Sequence, residues 1–353
     1  MNAHPANNPM ISVIIPAYNA EKTIAACLES LIRQSLPVTA YEVIVVDDGS
    51  SDATAQIIQR FPVTLIRQKN QGPAAARNAG AEAARGDIIV FTDSDCELEE
   101  LFLFNITRPF ADPAIAGVQG RYQTRQKSLT ARFCQYEIEE RYEIYQRSRY
   151  ITMIGTYAAA FRRQIFLDNG KFDTRFPIAS GEDFAFSGRL AAQGYKLVFV
   201  PDAVCFHRHP ETVKKYFRQK YFRAYWRNLL YKLNSKAILQ DRYTPQILKL
   251  QTLFLLVSPL FVFFLVILGL RSGYELPSAL LALWMLFFTA STLPLGRLTW
   301  KHSPSVALWV PLFALIRAAA LSSGLVHGFW SQNVIDRIKN VRNHVFSKPR
   351  YEN

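Results

Sequence analysis

DIIVFTDSD (Asp87–Asp95) decides the reading of this chain. Asp87 to Thr92 is a short apolar run ending in a β-branched residue. It reads as a strand buried on both faces, as in a parallel sheet. The run stops at Asp93-Ser94-Asp95. In open sheets of this kind, ligands bind beyond the carboxyl ends of the strands. Two carboxylates one residue apart at such an end can place oxygens near a hard divalent cation, Mg²⁺ or Mn²⁺. A cation there would bridge the phosphates of a nucleotide and stabilise it as a leaving group. Surface loops hold many D-x-D pairs, so the position after a buried strand gives this one its weight.

The preceding residues repeat the pattern. Ile11 to Pro16 (ISVIIP) and Tyr41 to Val46 (YEVIVV) read as buried strands, and Val63 to Arg67 as a third, shorter one. Helical spacing runs over Glu21 to Ile32, over Ala53 to Arg60 with Ser50 or Ser51 as cap, and from Gln71-Gly72-Pro73 to Ala84. Strand and helix alternate at short spacing, which predicts an α/β unit with a parallel sheet. The polar clusters at Asn19, Asp47-Asp48 and Asp93–Asp95 all close strands, which points to one site. Further on, Ser128 to Arg147 reads as a long charged helix and Phe161 to Phe176 as a turn-rich connection. Phe184 to Gln193 reads as a helix preceded by Gly181-Glu182-Asp183, and Tyr195 to Val200 as a strand.

The last third is different. Leu250 to Leu270 carries no charge and is long enough to span a bilayer, with Pro259 a candidate kink. Ser278 to Leu295 is a second candidate. Pro304 to Trp330 is a third, but Arg317 lies in its middle, and a charge at the bilayer centre is costly. Ten Lys or Arg against one acid, Asp241, fill Lys214 to Lys249. The tail is basic too, through Arg337, Lys339, Arg342, Lys348 and Arg350. The positive-inside bias places both on the cytoplasmic side, which predicts two crossings plus an interfacial third helix. Lys214 to Tyr231 alternates basic and aromatic residues, which suits a membrane surface rather than nucleic acid. The net charge of +13 favours an anionic partner. Cys27, Cys96, Cys134 and Cys205 show no metal-ligand spacing and read as buried thiols in a reducing compartment. Met1 to Pro9 lacks the pattern of a signal peptide.

Asp47-Asp48-Gly49-Ser50 is an Asp-Gly turn and helix cap, and can also aim a carboxylate at a base N–H. Glu182 and Asp183 are acids at a helix start, favoured by the helix dipole, or a catalytic pair in which one removes a proton from a hydroxyl. Taken together, VIIPAYN (Val13–Asn19), VVDDGSSD (Val45–Asp52), GPAAARNAG (Gly72–Gly80), FTDSD (Phe91–Asp95), FRR (Phe161–Arg163) and GEDFAFSGRL (Gly181–Leu190) closely resemble the family 2 inverting glycosyltransferases of GT-A fold. The resemblance runs from about Ile11 to His207.

That resemblance implies a Rossmann-like, mainly parallel catalytic sheet followed by C-terminal transmembrane helices. Pro16, Tyr18, Asn19, Asp48, Arg77, Asp93 and Ser94 would bind the nucleotide-sugar, with Asp48 on the base and Arg77 near ribose or pyrophosphate. Asp95, with Asp93 and His207, would hold Mg²⁺ or Mn²⁺. Asp183, beside Glu182, would be the catalytic base. The domains then run 1–9, a flexible start; 10–207, the catalytic unit; 208–249, a basic juxtamembrane segment; 250–330, the membrane region; and 331–353, a basic tail. The expected partners are a nucleotide-sugar, UDP-linked by resemblance, a lipid-linked or saccharide acceptor, and membrane lipids, with no nucleic acid. The expected location is the plasma membrane, with the catalytic unit cytoplasmic. Processive synthases of the family carry Gln-x-x-Arg-Trp; Gln219-Lys220-Tyr221-Phe222-Arg223 is mis-spaced for it, which favours single-sugar addition. A nucleotidyltransferase or an inactive membrane scaffold are the rival readings.

Overall fold

The computed structural model describes residues 11–176, 181–233 and 244–331. The N-terminal stretch, Asp241 and the basic tail fall outside them. The chain divides into two compact units. One comprises Met1–Gln126 and Tyr142–Arg208; the other comprises Lys127–Arg141 and His209–Asn353.

The first unit is built on an eight-stranded sheet in the order β3-β2-β1-β4-β7-β6-β8-β5. Its strands are β1 (Ile11–Ala17), β2 (Tyr41–Asp47), β3 (Thr64–Arg67), β4 (Ile88–Thr92), β5 (Cys96–Leu98), β6 (Ile115–Gln123), β7 (Ala158–Arg162) and β8 (Lys196–His207). β3, β2, β1 and β4 are all parallel. The cores of β1, β2 and β4 are fully buried, as the continuous apolar runs require: Val13, Ile14, Ile15, Val45, Val46, Ile89, Val90 and Phe91 have no exposure. Each such side chain contributes about 1.5–3 kcal/mol of burial free energy. The connecting helices are α1 (Ile24–Ile32), α2 (Thr54–Ile58) and α3 (Pro73–Ala83). α3 approaches β1 closely because Gly80 has no β-carbon; one there would sit 2.4 Å from Ile14 Cγ2.

The other half of the sheet is mixed. β7 runs antiparallel to β4 and β6, and β6 runs parallel to β8. The turn-rich reading of Phe161 to Phe176 is corrected here: it opens inside β7 and continues into the helix α6 (Arg163–Asp168). The residues Ala158-Ala159-Ala160 carry little strand preference of their own, and it is pairing with β4 and β6 that extends them. The expected capping of α2 by Ser50 or Ser51 is also corrected. Asp52 Oδ1 accepts the Thr54 N–H at 3.0 Å instead. Ser50 and Ser51 are turned to Asn19. The remaining helices of this unit are α4 (Phe102–Thr107), the last turns of α5 (Leu129–Gln146) and α7 (Glu182–Ala192).

The second unit is helical. It takes the start of α5, then α8 (Val213–Leu233), α9 (Gln246–Ser272), α10 (Glu275–Ser291), α11 (Leu293–His302), α12 (Pro304–Ala307) and α13 (Val310–Trp330). Among the described residues, α9 and α13 are each long and apolar enough to cross a bilayer. α10 and α11 pass that test only as a pair, bent by 45°. α8 and α13 touch backbone to backbone: a β-carbon on Gly324 or Gly328 would strike the carbonyl oxygens of Tyr221 or Tyr225. Small residues permit such a close approach between helices.

Arg317 of α13 is 3% exposed and meets Glu137 of α5, its Nη1 lying 3.0 Å from Oε1. Its Nη2 donates to Gln251 Oε1 at 2.8 Å. The Tyr216 hydroxyl donates to the same Glu137 oxygen at 3.0 Å, and Lys220 Nζ lies 2.8 Å from Oε2. Burial alone would raise the Glu137 carboxyl, but Lys220 and then Arg317 outweigh it and hold it down at about 2. The mid-helix charge that argued for an interfacial α13 is therefore compensated within the unit. Breaking such a pair leaves buried charges without their counter-ion. Glu137→Ala should destabilise the detergent-solubilised protein by about 3–5 kcal/mol, read as a lowered midpoint of chemical or thermal unfolding.

Candidate active site

Register brings the site together. Ala17 is level with Asp47, and Ile14 is level with Phe91, so β1, β2 and β4 end on one edge. Thr92 pairs with Ala158, so antiparallel β7 begins where β4 stops. Cys96 pairs with His207, which carries the end of β8 to the same place.

Asp93 and Asp95 follow β4. Oxygens of Asp93 and Asp95 and the Cys96 sulfur lie within 4.8 Å of one another, a grouping able to hold a metal ion. Hard divalent cations take oxygen ligands. The Cys96 thiol is fully buried and pushed well above its usual range, first by burial and then by Cys205, which disfavours the thiolate. The two carboxylates supply the hard oxygen donors of the group, with His207 beside them: its Nε2 lies 3.3 Å from Asp95 Oδ2. The His207 ring stacks on Tyr122 at 4.6 Å, and Tyr122 stacks on Tyr157 at 3.5 Å, which fixes the imidazole's plane. The donor set fits a divalent cation.

Arg77 of α3 is 1% exposed. Its Nη2 donates to Asp93 Oδ1 at 2.7 Å and its Nη1 to Glu182 Oε1 at 2.9 Å. Burial works against the cation, but Asp93 and then Glu182 outweigh it and raise its pKa. The other Glu182 oxygen accepts the Gly181 N–H at 3.1 Å. Asp183 follows in the first turn of α7. Its Oδ1 accepts from Phe184 N at 2.9 Å and its Oδ2 from Thr156 N at 3.2 Å. Burial, then the Glu182 carboxylate, pushes the Asp183 carboxyl up to about 7, which places its proton affinity near neutrality.

The nucleotide-side candidates differ in their surroundings. Pro16 is half-buried at the end of β1, and Tyr18 is 54% exposed beyond it. Asn19 adopts a left-handed φ of 48°, which asparagine tolerates. Its N–H donates to Ser50 Oγ and its side-chain oxygen accepts the Ser51 N–H, each at 2.9 Å, so it latches two loops together. Asp48 is 3% exposed and accepts from Gln68 Nε2 at 2.7 Å, Gln71 N at 2.9 Å and Gly72 N at 2.8 Å. It thereby secures the start of α3, where Gly72 takes a φ of 89° that a side chain would strain. Ser94 is half-buried between the two aspartates.

Sequence reading missed Thr156, Gln119 and the Tyr122–Tyr157 stack. Gln119 Oε1 accepts the Gly155 N–H at 2.5 Å and its Nε2 donates to Ala158 O at 3.0 Å, holding the loop that presents Thr156 to Asp183. Gln119, directly after the apolar residues Ile115–Val118, was the available signal; a buried polar side chain needs partners.

A curled Rossmann-like sheet with an acidic pair at its strand ends is the GT-A arrangement. Residues 12–170 match the model of Glycosyl transferase family 2. The Haloferax volcanii protein "Glycosyltransferase AglE" is 32% identical over 60% of this chain and 71% of its own length. A Methanococcus voltae dolichyl N-acetyl-α-D-glucosaminyl phosphate 3-β-D-2,3-diacetamido-2,3-dideoxy-β-D-glucuronosyltransferase is 26% identical over 59% of this chain and 70% of its own. The mannosyltransferase PcManGT of Pyrobaculum calidifontis, solved with GDP-Man and Mn²⁺, has the same fold, with a TM-score of 0.60 at 22% identity over 93% of this chain and 89% of that one. This chain belongs to glycosyl transferase family 2 and is a glycosyltransferase. The family match ends before Glu182, Asp183 and His207, which the fold adds to the site.

Binding of Mn²⁺ in the presence of UDP, followed by electron paramagnetic resonance, separates the ligands. Asp95→Asn should weaken it by more than about a hundredfold, beyond the loss from an outer-shell partner. Cys96→Ser should leave it unchanged.

Proposed function

We propose that the enzyme moves a sugar from a nucleoside-diphosphate sugar, UDP-linked in the first instance, to a hydroxyl of a lipid-linked or saccharide acceptor, with inversion. The reaction takes place at the cytoplasmic face of the plasma membrane, in assembly of an envelope or exopolysaccharide glycan. The observation that carries this reading is the half-buried Asp183, its pKa pushed up to about 7, on the chain segment that Arg77 ties to Asp93.

Asp183 takes the proton from the acceptor hydroxyl as that oxygen attacks the anomeric carbon. The bond to the nucleoside diphosphate breaks on the opposite face. Thr156 N and Phe184 N hold the carboxylate in place for this proton transfer. Pro16, Tyr18 and Asp48 flank the nucleotide. Mg²⁺ or Mn²⁺ on Asp95 and Asp93, beside His207, would supply charge neutralisation for the departing diphosphate.

Membrane delivery of the acceptor is supported by α9 and α13, and by the exposed face of α8. There Lys214, Lys215, Arg218 and Arg223 stand among exposed Phe217 and Phe222. The Methanococcus voltae relative is named for a dolichyl-phosphate-linked acceptor, which supports a lipid-linked acceptor here. The mis-spacing of Gln219-Lys220-Tyr221-Phe222-Arg223 for a processive motif supports single-sugar addition.

The test is turnover of UDP- and GDP-sugars with Mn²⁺, read as released nucleoside diphosphate. Asp183→Asn should lower kcat by at least about a thousandfold while UDP still binds. Wild-type turnover by that variant would remove Asp183 from the role of base. A base must be unprotonated to act, so kcat should rise with pH through about 7 and level off above it.

A further inference from the structure

Family resemblance puts Arg77 beside the ribose or pyrophosphate, but its surroundings assign it elsewhere. Both of its Nη atoms are bound to carboxylates of the protein itself, and the side chain has almost no exposure. Asp93 belongs to the loop after β4. Glu182 belongs to the first turn of α7, 105 residues from Arg77 in the chain.

The helix that carries Arg77 is anchored at several points. Asp48 fixes its start through Gly72 N. Gly80 seats it against Ile14. Asn78, the neighbour of Arg77, exchanges two hydrogen bonds with the Phe172 backbone, at 2.8 and 3.0 Å. A guanidinium is a rigid planar fork, so two carboxylates bound to its Nη atoms are held at a set separation. Glu182 is bonded through the chain to Asp183, so fixing one limits the other.

We propose that Arg77 and Glu182 are positioning residues, a buried brace that sets Asp183 relative to the Asp93–Asp95 loop, and that Arg77 does not touch the donor. The inference rests on the reading of Asp183 as base. The same brace shapes the charge around that base: Glu182 favours the protonated form of Asp183 and Arg77 opposes it.

The test uses the full chain in detergent, with kcat, the pH profile, and the affinity for UDP in the presence and absence of Mn²⁺. Glu182→Gln keeps the shape and can still accept from Gly181 N, but loses the charge that grips Arg77. It should lower kcat by about a hundredfold, the cost of a displaced reacting group. Its UDP affinity should stay within about twofold of wild type, the signature of an interaction that serves the transition state alone. The rising limb of its pH profile should move to lower pH, because a negative neighbour of Asp183 is gone. Arg77→Lys, which can reach one carboxylate at a time, should regain about tenfold of the kcat that Arg77→Ala loses.

The brace is overturned if Arg77→Lys weakens UDP binding by about tenfold or more in the absence of Mn²⁺, where its hold on the metal ligand Asp93 plays no part, as loss of a direct ground-state contact would. It is equally overturned if Glu182→Gln turns over like wild type with an unmoved pH profile. Should Arg77→Ala not fold, Glu182→Gln and Arg77→Lys still decide. An active Asp183→Asn sinks the base itself; an inactive Asp183→Asn beside a wild-type-like Glu182→Gln sinks only the brace.

Discussion

A buried guanidinium ties the acidic loop after β4 to the first turn of α7. The parallel strands β1, β2 and β4 supply the acidic loop at Asp93–Asp95, and the mixed half of the fold supplies Glu182 and Asp183 at the start of α7. No backbone ladder joins that loop to that helix. Arg77 does, with one amino group on each carboxylate. Burying a cation is costly unless its charge and its N–H groups are matched. Two carboxylates match its charge here, one on each amino group, and they set the spacing between the two segments that carry them.

The helical unit solves the same problem with other residues. Glu137 collects Arg317, Lys220 and the Tyr216 hydroxyl, and Arg317 passes its remaining amino group to Gln251. Elements far apart in the chain, α5, α8, α9 and α13, are thereby joined around one carboxylate. An arginine in the middle of an apolar helix looks prohibitive when the helix is taken alone. With its counter-ion in place, that objection to α13 falls away. In both units, buried charge marks where separate pieces of chain must meet in one arrangement.

Much of this was legible in the residues. Continuous β-branched runs gave away the buried parallel strands, because only a strand covered on both faces tolerates them. Gly72-Pro73 marked the start of α3, since glycine can take the positive φ and proline suits the first helical turn. Asp93 and Asp95 stood out because two acids seldom follow an apolar strand without a purpose. The antiparallel half was harder. Ala158–Arg162 is a strand through its neighbours alone, and β5 is three residues long. Thr156 entered the site by a backbone N–H, which no side-chain pattern announces.

Sequence alone determined the α/β character of the catalytic unit, the apolar helices that follow it, and the set of acids from which the site is drawn. Each of these depends on local periodicity and on residue type, which survive in one dimension. The tertiary structure decided where each acid sits and what it touches. It turned Glu182 inward to Arg77, left Asp183 half-buried with a raised proton affinity, set Cys96 aside as a buried thiol, and gave Arg317 its partner. Those outcomes follow from burial and from the distance between charges, and both are properties of residues brought together from distant parts of the chain.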